Sequence, residues 1–479
     1  MHIDRRIAIL GLLGTAALAV AMMAAPFFFA DLPRWLLGIL FWGGLLLAAA
    51  LIGASIIVAF RGEASEPPIG HRRRMIALLG MMISGLGFVG SAAVYFWPKP
   101  PPIAEASSLA HLAELGWSLQ HQPNGIQFVV SGPGPLPSMQ ESAIYFGQLR
   151  RPFSLVFSGT NGIDGLHHFA NLLSCTEISV NAGTFTDISE LRGFTHLTAL
   201  YISQTPINGL ATVDLSPLSF LTNLRKLILY GTKATTIQPL ATLRNLNTLN
   251  LKDTLVGDLS PITGLISLES LDITSTRISD LSALATTEKL AELNVGGAQV
   301  PGLRSLLNLK FLKKLMIMEQ SNIDLAPVGD LHNLENLWIL APLQLDVLPL
   351  RNLTKLHDLS IMGALAILRG PTAVTNIEVI GEFKDLRSLT LGYVQIADLA
   401  FISKLRTLSE ININHLPIQS VEPLRDLKSL TKISLTGTLV VDISPLLDLP
   451  ALTELRITQT PARSDVLTEL QQRGVTINR

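Results

Sequence analysis

The chain has 479 residues, 48% of them hydrophobic and only 15% charged, with a mean hydropathy of +0.41. An ordinary soluble domain carries about a quarter charged residues, so this composition calls for a lipid-embedded part. A net charge of −1 leaves no electrostatic footprint for nucleic acid, and the single cysteine, Cys175, excludes a disulfide framework or a multi-cysteine metal site. The charge is unevenly placed. Residues 1–97 hold seven Arg against four acids, a net of +3, so residues 98–479 carry −4.

Three apolar runs open the chain: Ile7–Ala30, Trp35–Phe60 and Met75–Trp97, of 24, 26 and 23 residues, without one Asp, Glu, Lys, Arg or His. About 20 apolar residues span a hydrocarbon core of about 30 Å, so each run reads as a transmembrane α-helix. Arg5, Arg6, Arg61 and Arg72–Arg74 flank the ends that the positive-inside rule assigns to the cytoplasm. Three crossings then place everything after Pro98 outside the cytoplasm. A cleaved signal peptide over the first run is the competing reading, and it leaves the rest on the same side. No ionisable group lies within the runs, so they read as an anchor and not as a transport path. Gly85-Leu-Gly87-Phe-Val-Gly90 matches a dinucleotide fingerprint, but inside an apolar span it is a packing pattern.

Residues 98–108 form a Pro-rich linker, stiffened by Pro98-Lys-Pro-Pro-Pro102. Residues 109–151 read as an α/β cap: a helix over 109–120, a strand at Ile126–Val130 and a helix over Ser138–Leu149. Phe153–Phe157 is the first, degenerate repeat strand. From there L-x-x-L-x-L recurs, starting at Cys175, Leu197, Leu224, Leu246, Leu268, Leu290, Leu312, Leu334, Leu356, Leu386, Leu408, Leu430 and Leu452. Ten of the twelve intervals are 22 residues; the others are 27 and 30. Each unit is a short strand with inward Leu or Ile, a turn and a return segment, and only stacking closes its core. Leu246, Leu249, Leu251, Leu259, Ile262 and Leu265 are interior in one such unit. In Asp-(Ile/Leu)-Ser-Pro-Leu, at 214–218 and 442–446, Ser is expected to cap a short helical turn with Pro at its first position. Repeats occupy 152–463, and 464–479 make a C-terminal cap with a helix at Ser464–Arg473.

The unit Leu-x-x-Leu-x-Leu-x-x-Thr-x-x-x-Asp-Leu-Ser-Pro at Leu246–Pro261 resembles the bacterial internalin-type leucine-rich repeat. That resemblance implies a curved α/β solenoid with a parallel concave sheet that binds protein partners, and a bacterial source. The family places Asn where this chain has Thr205, Thr232, Thr254, Thr276, Thr438 and Thr460. A hydroxyl gives one donor where an amide gives two, so that ladder must be weaker or differently wired. Pro342, Ala364, Val394 and Leu416 stand at the same position and cannot contribute.

No chemistry emerges from the motifs. There is no G-x-S-x-G; Cys175 sits at a core position; the ten His are dispersed, and His167-His168 has no third ligand. No catalysis, cofactor or metal is expected. Binding is the remaining function, and alternation places the second, fourth and sixth residues after each repeat start on the concave face. Most are polar, but Met316, Met318, Trp338, Leu340 and Met362 form an apolar block with Lys314, Asn336 and Asp358 as its rim. Tyr201, Ile228 and Tyr230 form a smaller one. Extra residues enter at 206–213 and 364–375, just after each group, and either complete a binding site or fold over it. The expectation is therefore a membrane-anchored, extracytoplasmic repeat protein that captures a protein partner through its concave sheet. A scaffold that recruits an envelope enzyme through its spans, and a cell-envelope glycan binder, are the alternatives.

Overall fold

A computed structural model describes residues 105–479, apart from 123–124, 133–134, 160–162, 182–186, 204–212, 298–301, 319–322, 342 and 364–370. The three apolar runs, the proline stretch at 98–102 and most of each insertion lie outside the described residues. Among the described residues no helix is long and apolar enough to cross a membrane.

The cap consists of α1 (Glu105–Glu114), β1 (Ser118–Gln122), β2 (Gly125–Ser131) and α2 (Met139–Phe146), and it leads into β3 (Phe153–Ser158). The expected helix over 109–120 therefore begins earlier and stops earlier. Gly116, at φ +102°, reverses the chain after α1, and Trp117 turns inward, where its indole Nε1 donates to Ser142 Oγ at 2.9 Å. Residues 118–122 then pair antiparallel with β2. Ser138 caps α2, its Oγ accepting from the Glu141 N–H at 3.4 Å. Trp117, Phe128, Phe146, Phe153 and Phe169 close the end of the stack, with ring centroids 4.7–6.2 Å apart. Edge-to-face pairs of this kind add about 0.5–1.5 kcal/mol each beyond burial.

The repeats then lay down β4 (Cys175–Asn181), β5 (Ala199–Ser203), β6 (Lys226–Ile228), β7 (Thr248–Asn250), β8 (Ser270–Asp272), β9 (Glu292–Asn294) and β10 (Lys314–Met318). After them come β11 (Asn336–Ala341), β12 (Gln344–Asp346), β13 (Asp358–Gly363), β14 (Ala373–Thr375), β15 (Ser388–Gly392) and β16 (Glu410–Asn414). The last are β17 (Lys432–Ser434), β18 (Glu454–Arg456) and β19 (Thr476–Asn478). All but β12 and β14 join one 17-stranded sheet, parallel throughout except for β1 against β2. Leu246, Leu249, Leu251, Ile262, Leu265 and Leu259 are all at most 2% exposed. Each such burial is worth about 1.5–3 kcal/mol, which holds the stack without disulfides. At the far end, Val466, Leu467 and Leu470 of α3 (Ser464–Gln472) cover the last repeat.

Return segments are single turns of tight helix, and their capping differs from the sequence expectation. Asp, not Ser, satisfies the free N–H: Asp214, Asp258, Asp280 and Asp442 each accept from the backbone N–H two residues on, at 2.8–2.9 Å. Asp324, Asp346 and Asp398 do the same for Ala326, Leu348 and Ala400. The Ser sits inside the turn and donates its hydroxyl back to Asp in three repeats, at 2.6–2.8 Å. A carboxylate two residues upstream reaches an N–H that a serine at the first helical position cannot reach.

The threonine column is differently wired, as its chemistry requires. Thr232, Thr254, Thr276 and Thr438 are buried, and each hydroxyl donates to the carbonyl three residues before it, at 2.7–2.9 Å. Each therefore closes its own turn. Thr460 alone among the described members reaches the preceding repeat, bonding Leu435 O. The amide ladder between repeats lies elsewhere, just before the inner strand: Asn223, Asn245 and Asn333 donate to the carbonyls of Thr195, Thr222 and Lys310 at 2.8–2.9 Å. His196 stands in that column too, and its buried Nε2 has no hydrogen-bond partner.

Neither insertion disturbs the sheet. Tyr201 pairs with Ile228 across the 27-residue interval and Asp358 with Ser388 across the 30-residue one. The end of the second insertion is a strand: β14 pairs parallel with β12 in a second, two-stranded sheet, and Thr372 bridges Val394.

Candidate inner-face site

Strands pack about 4.8 Å apart while return turns need more room, so the strand side is the inner face of the stack. On it Met316 lies opposite Trp338, and Met318 opposite Leu340. Trp338 then faces Ser360, and Leu340 faces Met362. Ile317, Ile339 and Ile361, one residue out of phase, are at most 1% exposed in the core. The five apolar residues thus share one surface in two rows. Leu340 is 38% exposed and Met316, Met318, Trp338 and Met362 are half-buried.

Glycines flank this block. A Cβ built on Gly296 would lie 2.8 Å from Cγ of Met318, and one built on Gly392 would lie 2.7 Å from Sδ of Met362. Each end methionine lies over a bare backbone position in the next repeat, which spreads the apolar surface sideways. Sequence reading passed over both glycines. Their signal was the sixth place of the repeat, where a side chain would stand against a neighbouring methionine.

The rim residues occupy one row. Lys314 stands between Glu292 and Asn336, and Asn336 opposite Asp358. Lys314 Nζ is 2.6 Å from Glu292 Oε1, and this bond holds the Glu292 carboxyl below its usual range. Further along, Lys432 pairs with Glu410 at 2.6 Å. Asp358 differs from both acids. Burial pushes its carboxyl above the usual range, and the Asn336 side chain opposes that by hydrogen bonding.

Tyr201 and Ile228 are also opposite one another, and Tyr230 lies further along the same strand direction; all three are half-buried. Here lysines cover the rings: Lys226 Nζ lies 5.1 Å above Tyr201 and Lys252 Nζ 5.7 Å from Tyr230. Between the two groups the face is polar and bonded to itself, with Asn250 Nδ2 donating to Asp272 at 3.2 Å. The described end of the second insertion, residues 372–375, extends the wall where the chain leaves the inner sheet. Its first part, residues 364–370, and the body of the first insertion lie outside the described residues.

Cys175 is fully buried, and burial drives its thiol far above the ordinary range. His167 Nδ1 meets Glu190 at 2.6 Å on an exposed surface. Among the described residues no three His, Cys, Asp or Glu converge as a metal site.

Known structures share this architecture. The chain is similar to an internalin (inlF) of Listeria monocytogenes, with 24% identity and a TM-score of 0.53, over 74% of this chain and 95% of that one. A leucine-rich-repeat protein of Leptospira interrogans matches at 18% identity and a TM-score of 0.57, over 74% and 89%. The Drosophila Toll–Spatzle complex also matches, at 12% identity and a TM-score of 0.51, over 72% and 48%. No family model and no curated protein sequence matches. These likenesses establish a leucine-rich-repeat fold with a long parallel sheet.

Proposed function

We propose that this chain is a membrane-anchored, extracytoplasmic leucine-rich-repeat protein that captures a protein partner on its inner sheet. The observation that carries the reading is the block of Met316, Met318, Trp338, Leu340 and Met362, part-exposed and contiguous on one face of the sheet and the larger of the two apolar groups there. A contiguous apolar surface of this kind is costly in water unless a partner covers it. Aromatic and methionine side chains are enriched at the centres of such interfaces, with charged groups at their rims. The likeness of the fold to an internalin and to the Toll chain of a protein–protein complex, Toll–Spatzle, supports protein recognition as the use of the surface. Anchoring and sidedness rest on the three uncharged apolar runs and on the arginines at Arg5, Arg6, Arg61 and Arg72–Arg74.

Glycan binding fits less well. The polar end of the face spends its donors internally: Asn412 donates to Thr390, and Ser434 to Asn414. The direct test places a photo-crosslinking residue at position 338, and separately at the exposed outer position Ile266, in living cells. A partner adduct from 338 and none from 266 is the expected pattern, abolished for a second probe at 316 by Trp338→Asp. Adducts from 266 alone would remove the inner face from consideration.

A further inference from the structure

Five acids share the rim row of the inner sheet: Glu177, Glu292, Asp358, Glu410 and Glu454. Burial raises the Glu177 carboxyl and the charge of Lys226 opposes that, while Glu454 holds Arg456 at 2.8 Å. Glu292 holds Lys314 at 2.6 Å and Glu410 holds Lys432 at 2.6 Å. Among the described residues no lysine or arginine forms an ion pair with Asp358, although it is the acid beside the apolar block, one strand from Asn336 and diagonal to Trp338. Lys314 stands two strands away, about 10 Å along the row, and is already held by Glu292. A half-buried carboxylate with the Asn336 amide beside it and the like charge of Glu410 along the row bears a desolvation cost that a nearby positive charge offsets. The surface next to it is suited to a cation's stem. An indole face attracts ammonium or guanidinium, and thioethers accommodate methylenes.

Resting on the inner-face reading above, we infer that the site receives a basic side chain of the partner protein, a lysine or arginine next to an apolar residue. Asp358 is its counter-charge, Trp338 its aromatic face, and the methionines seat the neighbouring apolar group. The contrast with the Tyr201–Tyr230 group supports the assignment. There the chain's own Lys226 and Lys252 already lie over the rings, whereas no such cation–ring contact occurs at Trp338 among the described residues.

The test selects randomised heptapeptides displayed on phage against the full chain, the Asp358→Asn chain and the Trp338→Ala chain. Asn keeps the shape of the rim and removes only the charge. The expected selection on the natural chain is a basic residue beside an apolar one. The basic preference falls about tenfold on Asp358→Asn while the apolar preference persists. Apolar selection with no basic preference, or a basic preference indifferent to Asp358→Asn, overturns the cation seat and leaves the inner face as a docking surface. Identical selections on the natural and Trp338→Ala chains, or no enrichment over the library, overturn the seat and the inner-face reading together.

Discussion

Two glycines on the paired strands β13 and β15 make opposite demands on the same substitution. In Gly363→Ala the new methyl would run into the backbone carbonyl of Tyr393 and lie 2.9 Å from Thr372 Oγ1. The Tyr393 carbonyl also accepts from the Thr372 N–H at 3.0 Å, so moving it strains the bond that ties the second insertion to the wall. Overpacking against backbone costs about 1–3 kcal/mol, and a weakened hydrogen bond adds about 0.5–1.5 kcal/mol. Gly363→Ala should therefore lose about 1.5–4.5 kcal/mol, less the few tenths that alanine regains by restricting the unfolded chain. In Gly392→Ala the methyl meets only Sδ and Cε of Met362, at 2.7 and 2.9 Å. That thioether end turns about rotatable bonds and can swing out, so the cost should stay below about 1 kcal/mol. The two variants are compared by urea denaturation followed by circular dichroism, with hydrogen exchange across 358–395 to localise the loss, since a repeat stack need not unfold in one step. Gly363→Ala should expose the amides around Thr372 and lower the midpoint; Gly392→Ala should leave both nearly unchanged while weakening partner capture. Equal midpoints for the two variants would mean that the side chain yields no more readily than the backbone, and the reasoning fails.

The aspartate caps make stability fall in acid. Asp258 has its carboxyl held below the ordinary value of 3.8 by the Ser260 backbone N–H and hydroxyl, and Asp187, Asp214, Asp280 and Asp442 are depressed by the same kinds of bond. A depressed acid contributes stability above its unfolded-state value and loses it as pH falls through the folded one. The melting temperature should thus drop below about pH 4, and Asp258→Asn should flatten that slope; a slope unchanged in the variant would assign the acid transition to other groups. The vacancy in the asparagine column gives a prediction of opposite sign. His196→Asn should supply the missing donor to the carbonyl of residue 173 and gain about 0.5–1.5 kcal/mol in chemical denaturation. A loss instead would show that the imidazole is retained for its packing beside Phe194.

The solenoid was legible because its core is periodic. Leucines 22 apart have to be buried together, and alternation around Ile317, Ile339 and Ile361 then assigned Met316, Trp338 and Met362 to the opposite surface without coordinates. What escaped the sequence depends on partners remote in the chain. β1, Ser-Leu-Gln-His-Gln, is polar at almost every place and shows no alternation; it is a strand because β2 pairs with it. β12 and β14 are separated in the chain by a return turn, β13 and most of the insertion, and each is a strand because the other pairs with it. The Asp caps were hidden by a serine that also suits a helix start, and the difference is only which oxygen reaches the N–H. Asp358 was legible as a rim residue, but that no described lysine or arginine pairs with it could be read only once Lys314 was seen to be held by Glu292.

The pairing of Tyr201 with Ile228 and of Asp358 with Ser388 has a consequence for how such a molecule can change. Chain added just downstream of an inner strand leaves the strand register unchanged, and the lattice of leucines beneath it continues as though nothing had been added. Since the entropic toll of a longer loop grows only with the logarithm of its length, those two junctions are places where new sequence can be tried at little risk to the rest. Each opens beside one of the two greasy spots on the inner wall, so whatever is tried there is presented at once to whatever docks.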